Sequence, residues 1–319
     1  MRQEPKVDGR AAASVDSANN AELNAAYAVC RATARREAKN FYYAFVALPK
    51  PKRNAICAVY AFMRQADDLA DDESVSIGER RTRLDAWIAD WRGASAGGET
   101  KDPVFVALRD AMVRFKIPLG LLDELVAGVT MDLDSCGGDE PDTYATFQDL
   151  YRYCYLVASV VGLVCIRIFG YTDSRAEKLA EETGIAFQLT NILRDVAEDA
   201  ERNRVYLSLE DLKTHGVALE SILHREKTVV PTTNERALLK EIGRRAEIYY
   251  KSGQALMPLI DKESRPALWV LVSIYHALLK RIEKADFDVF SRRASVPLWE
   301  KLFILVVGLT RMTWVRVAG

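Results

Sequence analysis

Apolar residues along the chain recur at three- and four-residue steps between turn signals, and alternation of the strand kind is nearly absent. That periodicity predicts helices over 22–47, 50–73, 77–92, 102–115, 118–132, 146–169, 173–201, 208–214, 233–256, 263–283 and 297–310. GASAGGETK at 93–101 and SCGGDEPDT at 135–143 read as loops. Pro49 and Pro51 separate the first two helices, because a proline ring cannot continue the helix that precedes it. No linker is long or polar enough to divide the chain, so the expectation is an all-α fold: a loosely ordered N-terminus over 1–20 and one helical domain over 21–319.

Composition narrows this picture. With 319 residues the chain can bury a sizeable core, and 44 basic against 45 acidic residues leave no net field to attract nucleic acid or an anionic membrane. Phosphate handling would therefore be local. The five cysteines (30, 57, 136, 154 and 165) form no CxxC pair and are expected to be mostly reduced core residues. The first twenty residues lack the apolar stretch of a secretory signal, which points to the cytoplasm. Leu302–Leu309 is too short to span a bilayer; it is expected to pack inside, with shallow membrane contact as the lesser reading.

One short pattern, DxxxD, occurs twice: Asp67 with Asp71, and Asp195 with Asp199. Residues four apart on a helix are neighbours, so each pair sets two like charges together and weakens its helix by roughly 0.2–0.5 kcal/mol. At about 100° per residue, Asp67 and Asp71 share a face with Ile56, Tyr60 and Met63, while Asp68 and Asp72 turn toward solvent. In the later helix Gly184, Gln188, Asn191, Asp195 and Asp199 make one stripe, separate from apolar Ile185, Leu189, Ile192 and Val196. A solvated acidic helix end explains a bare charge run, but not carboxylates on an inward face, where an unpartnered charge is costly. Two such stripes facing each other form an oxygen-lined site for Mg²⁺, completed by the oxygens of a diphosphate.

Arg64, one turn before Asp67, and Arg194, Arg202 and Arg204, around the second pair, could grip phosphate oxygens; Arg64 could equally pair with Asp68. Arg281 and Arg292 are weaker candidates. Aromatic residues gather near the acids, and ring faces can stabilise a carbocation without attacking it; Tyr60 is the best placed. His215, His224 and His276 lie near no nucleophile pattern and read as structural.

These residues resemble a family. YAFMRQADDLADD at 60–72 is similar to the first aspartate-rich motif of the squalene and phytoene synthases, and QLTNILRDVAEDAERNRVYL at 188–207 to their second. Similar agreement runs through 40–62, 151–164 and the YHALL segment from Tyr275. The resemblance implies one isoprenoid-synthase helical bundle around a central cavity. Mg²⁺ would be held by Asp67, Asp71, Asn191, Asp195 and Asp199, and isoprenoid diphosphates by Lys39, Phe41, Tyr60, Arg64, Gln188, Tyr275 and Arg292. It further implies head-to-head condensation through a cyclopropyl diphosphate. The stretches NFYYAF and MDLDSCGGDEPDTYATFQDLYRYCYLVASVVGL look nearest to bacterial presqualene diphosphate synthases of hopanoid pathways, so two farnesyl diphosphates are the expected substrates. The alternatives are a phytoene synthase joining two geranylgeranyl diphosphates and, more distantly, a non-catalytic helical isoprenoid-binding protein. NADPH use stays open, since no GxGxxG opens a helix. The chain departs from the family at Ala38, Lys39, Asn40 and Phe41, where many members carry Ser-Lys-Ser-Phe, and no C-terminal anchor like that of eukaryotic squalene synthases is expected.

Overall fold

The computed structural model describes residues 9–134, 141–225 and 229–317. The order is α1 (Gly9–Glu37), α2 (Lys39–Val46), α3 (Lys50–Ala70), α4 (Ile77–Ser95), α5 (Pro103–Phe115), α6 (Leu119–Asp134), β1 (Asp142–Thr143) and α7 (Phe147–Cys154). A π-helical segment over Tyr155–Ser159 leads into α8 (Val160–Phe169), followed by α9 (Arg175–Ala200), β2 (Arg204–Val205), α10 (Leu209–Thr214) and α11 (Leu219–Leu223). The chain ends with α12 (Thr233–Leu256), α13 (Arg265–Lys284) and α14 (Leu298–Val317). The fold is all-α, as the periodicity requires.

Several boundaries follow from local chemistry. Ser76 caps α4 through the Glu79 amide, and reciprocal capping boxes start α7 (Thr146 with Asp149) and α12 (Thr232 with Glu235). Five expectations differ from the structure. Helical backbone begins at Gly9, inside the stretch expected to be loose, because AAASVDSANNAELNAA is rich in alanine. The helix expected over 22–47 is broken at Ala38, and the one over 146–169 contains the π segment. The loop after α6 ends in a two-residue strand, where Asp142 and Thr143 pair in parallel with Arg204 and Val205. Leu302–Leu309 is only half buried: Ile304 faces inward, whereas Leu302, Phe303 and Val306 are exposed.

α9 is the central helix, packed between α12 and the α7–π–α8 run, while α3 lies on α1, α5 and α6. Small residues permit the close approaches. A Cβ at Gly184 would stand 2.5 Å from the Ser159 Cα, and one at Gly162 would stand 3.0 Å from the Ala180 carbonyl oxygen. The stretch Phe147–Phe169 is long and apolar enough to cross a membrane, yet its residues pack against α9 and form part of the core. Cys30, Cys57 and Cys154 are buried thiols and Cys165 is half-buried; Cys136 lies outside the described residues.

Candidate active site

α3 and α9 each carry a DxxxD pair into their last turn, so the two pairs reach the C-terminal ends of both helices. Helix C-termini carry unpaired carbonyl oxygens and partial negative charge, which repels a carboxylate and favours a cation. The end of α3 is fixed from outside: the Arg80 guanidinium donates to the carbonyl oxygens of Ala70, Asp72 and Val75. Asp71 thereby stands at the rim of a chamber of about 240 Å³, whose walls include Asp67, Asp132, Asn191, Asp195 and Asp199 together with Gln188, Arg194, Arg202 and Arg204. Asp72 lies outside it, bonded to Ser74 and paired with Arg83.

The electrostatics are those of an acid cluster short of cations. Burial, then the neighbouring Asp71 carboxylate, pushes Asp67 up to about 7. Burial, then Asp195, does the same to Asp199, also to about 7. Asp132 rises to about 6, again chiefly by burial, with Arg204 opposing. Asp195 is the exception. Burial would raise it too, but the bonds it accepts from Arg194 (Nε, 2.7 Å) and Arg293 (Nη2, 2.7 Å; Nε, 3.0 Å) outweigh that and hold it below the usual range.

A second cavity, of about 760 Å³, opens from the first and shares Asp67, Gln188, Asn191 and Arg194 with it. It is a tunnel lined largely by apolar side chains from α2, α3, the π segment, α8, α9 and α13. At its polar end Phe41, Phe45, Tyr60, Phe187 and Tyr275 form a chain of ring contacts, with Phe187 stacked on Tyr275 at 4.5 Å. Burial pushes the Tyr60 and Tyr275 hydroxyls up to about 12, so both rings stay neutral. From Asn191 to Ala180, both lining residues of α9, the tunnel runs roughly 16 Å along the helix.

The expected residues are therefore largely brought together. Asp67, Asp71, Asn191, Asp195, Asp199, Gln188, Arg194 and Arg204 line the chamber, and Phe41, Tyr60, Arg64 and Tyr275 line the tunnel. Arg64 pairs with Asp68 on its own helix, with its Nε buried and unbonded. The Lys39 side chain lies outside the described residues. Arg292 is a correction. It is exposed and lines neither cavity; the irregular segment after α13 brings its neighbour Arg293, also partly exposed, onto Asp195 instead. Arg281 pairs with Glu300, His276 bonds Glu247, and His215 bonds the Asp211 carbonyl oxygen, all away from the chamber.

Sequence reasoning missed Asp132, Arg293, Lys301 and the stacked pair Tyr153 and Tyr206, whose rings are 4.8 Å apart beside Asp132. Asp132 could have been found, since it falls seven residues after Leu125 and three after Val129 on the inward face of α6.

The chamber fits Mg²⁺ by a specific mark: the Asn191 side-chain oxygen is buried in its wall with no hydrogen-bond partner. Among the described residues, no three His, Cys, Asp or Glu side chains converge closely enough to hold an ion alone. That suits Mg²⁺, which binds through one or two carboxylates and takes its other oxygens from water and substrate phosphates.

An all-helical protein with an acid chamber at the head of an apolar tunnel is built to take a charged head and a long apolar tail. The comparisons agree. The squalene/phytoene synthase family matches residues 34–300, and the chain belongs to that family. It is a prenyltransferase of the squalene/phytoene synthase kind, a family that works on isoprenoid diphosphates and is typically Mg²⁺-dependent. It is 36% identical to the 15-cis-phytoene synthase of Synechococcus elongatus over 92% of this chain and 95% of the relative. Against the phytoene synthase of Mycobacterium tuberculosis it is 34% identical, over 90% and 92%. Among solved structures it resembles a dehydrosqualene synthase (TM-score 0.79, 30% identity, 92% of this chain and 99% of that one). The squalene synthase HpnC of Alicyclobacillus acidocaldarius gives a TM-score of 0.74 at 28% identity, over 84% and 97%. The finer likeness to presqualene diphosphate synthases gives way to these curated relatives, which are phytoene synthases.

Proposed function

We propose that this protein joins two geranylgeranyl diphosphates head to head, through a cyclopropyl diphosphate, to a phytoene-type C40 hydrocarbon. The observation that carries the reading is the junction of the two cavities at Asp67, Gln188, Asn191 and Arg194, which would put a diphosphate among carboxylates and arginines while its tail enters the tunnel. The C20 substrate is favoured by relatives aligned over nearly their whole length.

In this reading Asp67 and Asp71 on one side, and Asn191, Asp195 and Asp199 on the other, hold Mg²⁺. The bound metal neutralises diphosphate charge and improves the leaving group. Arg64, Arg194 and Arg204 bind the phosphate oxygens that develop charge as the allylic C–O bond breaks. Tyr60, Phe41 and Tyr275 flank the resulting cation with neutral rings that cannot capture it. The double bond of the second substrate attacks that cation, and proton loss closes the cyclopropane. A second ionisation that also ends in proton loss consumes no reductant, so NADPH is not required.

A second reading, two farnesyl diphosphates and a C30 product, is favoured by the likeness to a dehydrosqualene synthase at 30% identity. Incubation with each substrate, with and without NADPH, followed by product analysis, separates the two. C40 hydrocarbon from geranylgeranyl diphosphate without NADPH is expected. Product from farnesyl diphosphate alone would overturn the C20 assignment, and no Mg²⁺-dependent release of diphosphate from either would overturn the enzyme reading.

A further inference from the structure

We infer that Lys52 is the positioning residue that stops the tunnel at its deep end and so sets the longest isoprenoid tail the protein takes. The inference deepens the condensation reading, in which such a tail enters the tunnel from the acids. Three lining helices each have one end at the side away from those acids. On α3 the lining residues run from Asp67 back to Ile56, roughly 16 Å, the same reach as from Asn191 to Ala180 on α9. On α13 they run from Tyr275 back to Leu268, and on α8 they run forward to Phe169, its last residue. Lys52 lies one turn beyond Ile56, about 6 Å further on, and Ser264 lies one turn beyond Leu268.

One ammonium ties these three ends together. Lys52 Nζ donates to the Phe169 carbonyl oxygen (2.8 Å), to Ser264 Oγ (3.1 Å) and to Asp261 (3.0 Å), and it pairs with Glu263 (2.8 Å). Ser264 Oγ donates to the same Phe169 carbonyl oxygen (2.8 Å), and the Asp261 amide donates to that of Gly170. Gly170 has φ +78°, and a Cβ there would stand 2.1 Å from the Asp261 carboxylate. Lys52 and Ser264 are buried, whereas the Asp261 and Glu263 side chains are about half exposed, so the knot lies between the tunnel floor and solvent. A buried ammonium is costly unless its protons are bonded, and a well-packed apolar side chain would serve stability as well. What the ammonium adds is a fixed floor. A tail that ends at Ile56 and Leu268 meets apolar side chains. One that is a prenyl unit too long must part α3, α8 and α13 and leave buried acceptors unbonded, which rejects it sharply.

The test offers the full chain geranylgeranyl diphosphate together with geranylfarnesyl diphosphate, one prenyl unit longer, and reads the ratio of their incorporation. The unaltered protein should favour the shorter by about a hundredfold or more. In Lys52→Ala the ratio should move about tenfold or more toward the longer, while the ratio of geranylgeranyl to farnesyl diphosphate stays within about threefold. Ser264→Ala, which removes one of the two side-chain bonds on the Phe169 carbonyl, should shift the ratio the same way and carries the test if Lys52→Ala does not fold. A loss of stability alone lowers the amount of active protein and leaves a competition ratio where it was. An unmoved ratio in every folded variant, or a longer substrate that the unaltered protein takes equally well, therefore overturns the inference. Binding reads the stop without catalysis. Saturated hexadecyl and eicosyl diphosphates match the two prenyl backbones in length and have no allylic bond to ionise. Calorimetry with Mg²⁺ should show the unaltered protein binding the shorter about tenfold or more tighter, and Lys52→Ala binding the two nearly alike. That pattern in a protein that releases no diphosphate from any allylic substrate would sink the condensation reading and leave the stop intact.

Discussion

Asp67 and Asp199 bind protons near neutrality because each is buried beside a second carboxylate at the negative end of a helix. A carboxyl whose folded pKa lies above its unfolded value binds more protons when folded, so its contribution to stability is full at low pH and falls as pH rises from about 4 toward 7. Asp211 and Glu235 are lowered instead, and their contribution changes only below their ordinary range, outside this window. The metal-free protein should therefore melt at a lower temperature at pH 8 than at pH 5.5. Mg²⁺ with diphosphate should remove most of the difference, and Asp67→Asn with Asp199→Asn should remove the larger part of it, leaving the share of Asp132; scanning calorimetry, in chelator for the metal-free arms, reads all three. The same acids should govern rate. Asp67→Ala or Asp195→Ala should lower turnover by at least about a hundredfold with circular dichroism unchanged, whereas Asp72→Ala should stay within about threefold. Steady-state diphosphate release checks this, and retained activity in either of the first two variants would defeat the metal assignment. The inward acids were legible in the sequence because like charges on a core-facing stripe need an outside cause. Arg293 was not, because it sits in an irregular segment where no period says which of two adjacent arginines reaches Asp195.

At the scale of elements, the π segment and α9 approach backbone to backbone at Gly184, and this contact shapes the tunnel wall that Val157, Ala158 and Phe187 complete. Gly184→Ala would gain a little helix propensity, yet its methyl would need the space of the Ser159 backbone. Overpacking should win, costing about 1–3 kcal/mol in urea unfolding; a neutral or stabilised variant would mean that the two segments slide apart freely. The long helices could be read from sequence because a 3.6-residue period repeats many times in each, and capping residues mark several of their starts. α11, five residues long, and the β1–β2 pair are too short to show any period. The break at Ala38 has no proline or glycine to announce it, and a π turn inserts one residue into an apolar run without altering its composition.

At the scale of the whole molecule, function depends on where two cavities meet, and those cavities assemble side chains from the end of α1 to α14. Wheel arguments locate the face of each helix but not the distance between faces, so the acid chamber was foreseeable while the depth of the tunnel was not. Depth can be tested directly. Gly162 approaches α9 at Ala180, the lining residue farthest along the helix from the acids, and Cys165 lies one turn beyond Gly162 in the same wall. A larger side chain at Cys165 would fill space that only the last units of a long tail reach. Cys165→Phe should therefore lower turnover of geranylgeranyl diphosphate about tenfold or more, while farnesyl diphosphate, whose tail is one prenyl unit shorter, is affected much less. Competition between the two substrates in one reaction reads the ratio without correction for the amount of active protein. Equal losses on both would mean that tails do not extend past Gly162, and that some other part of the wall sets their length.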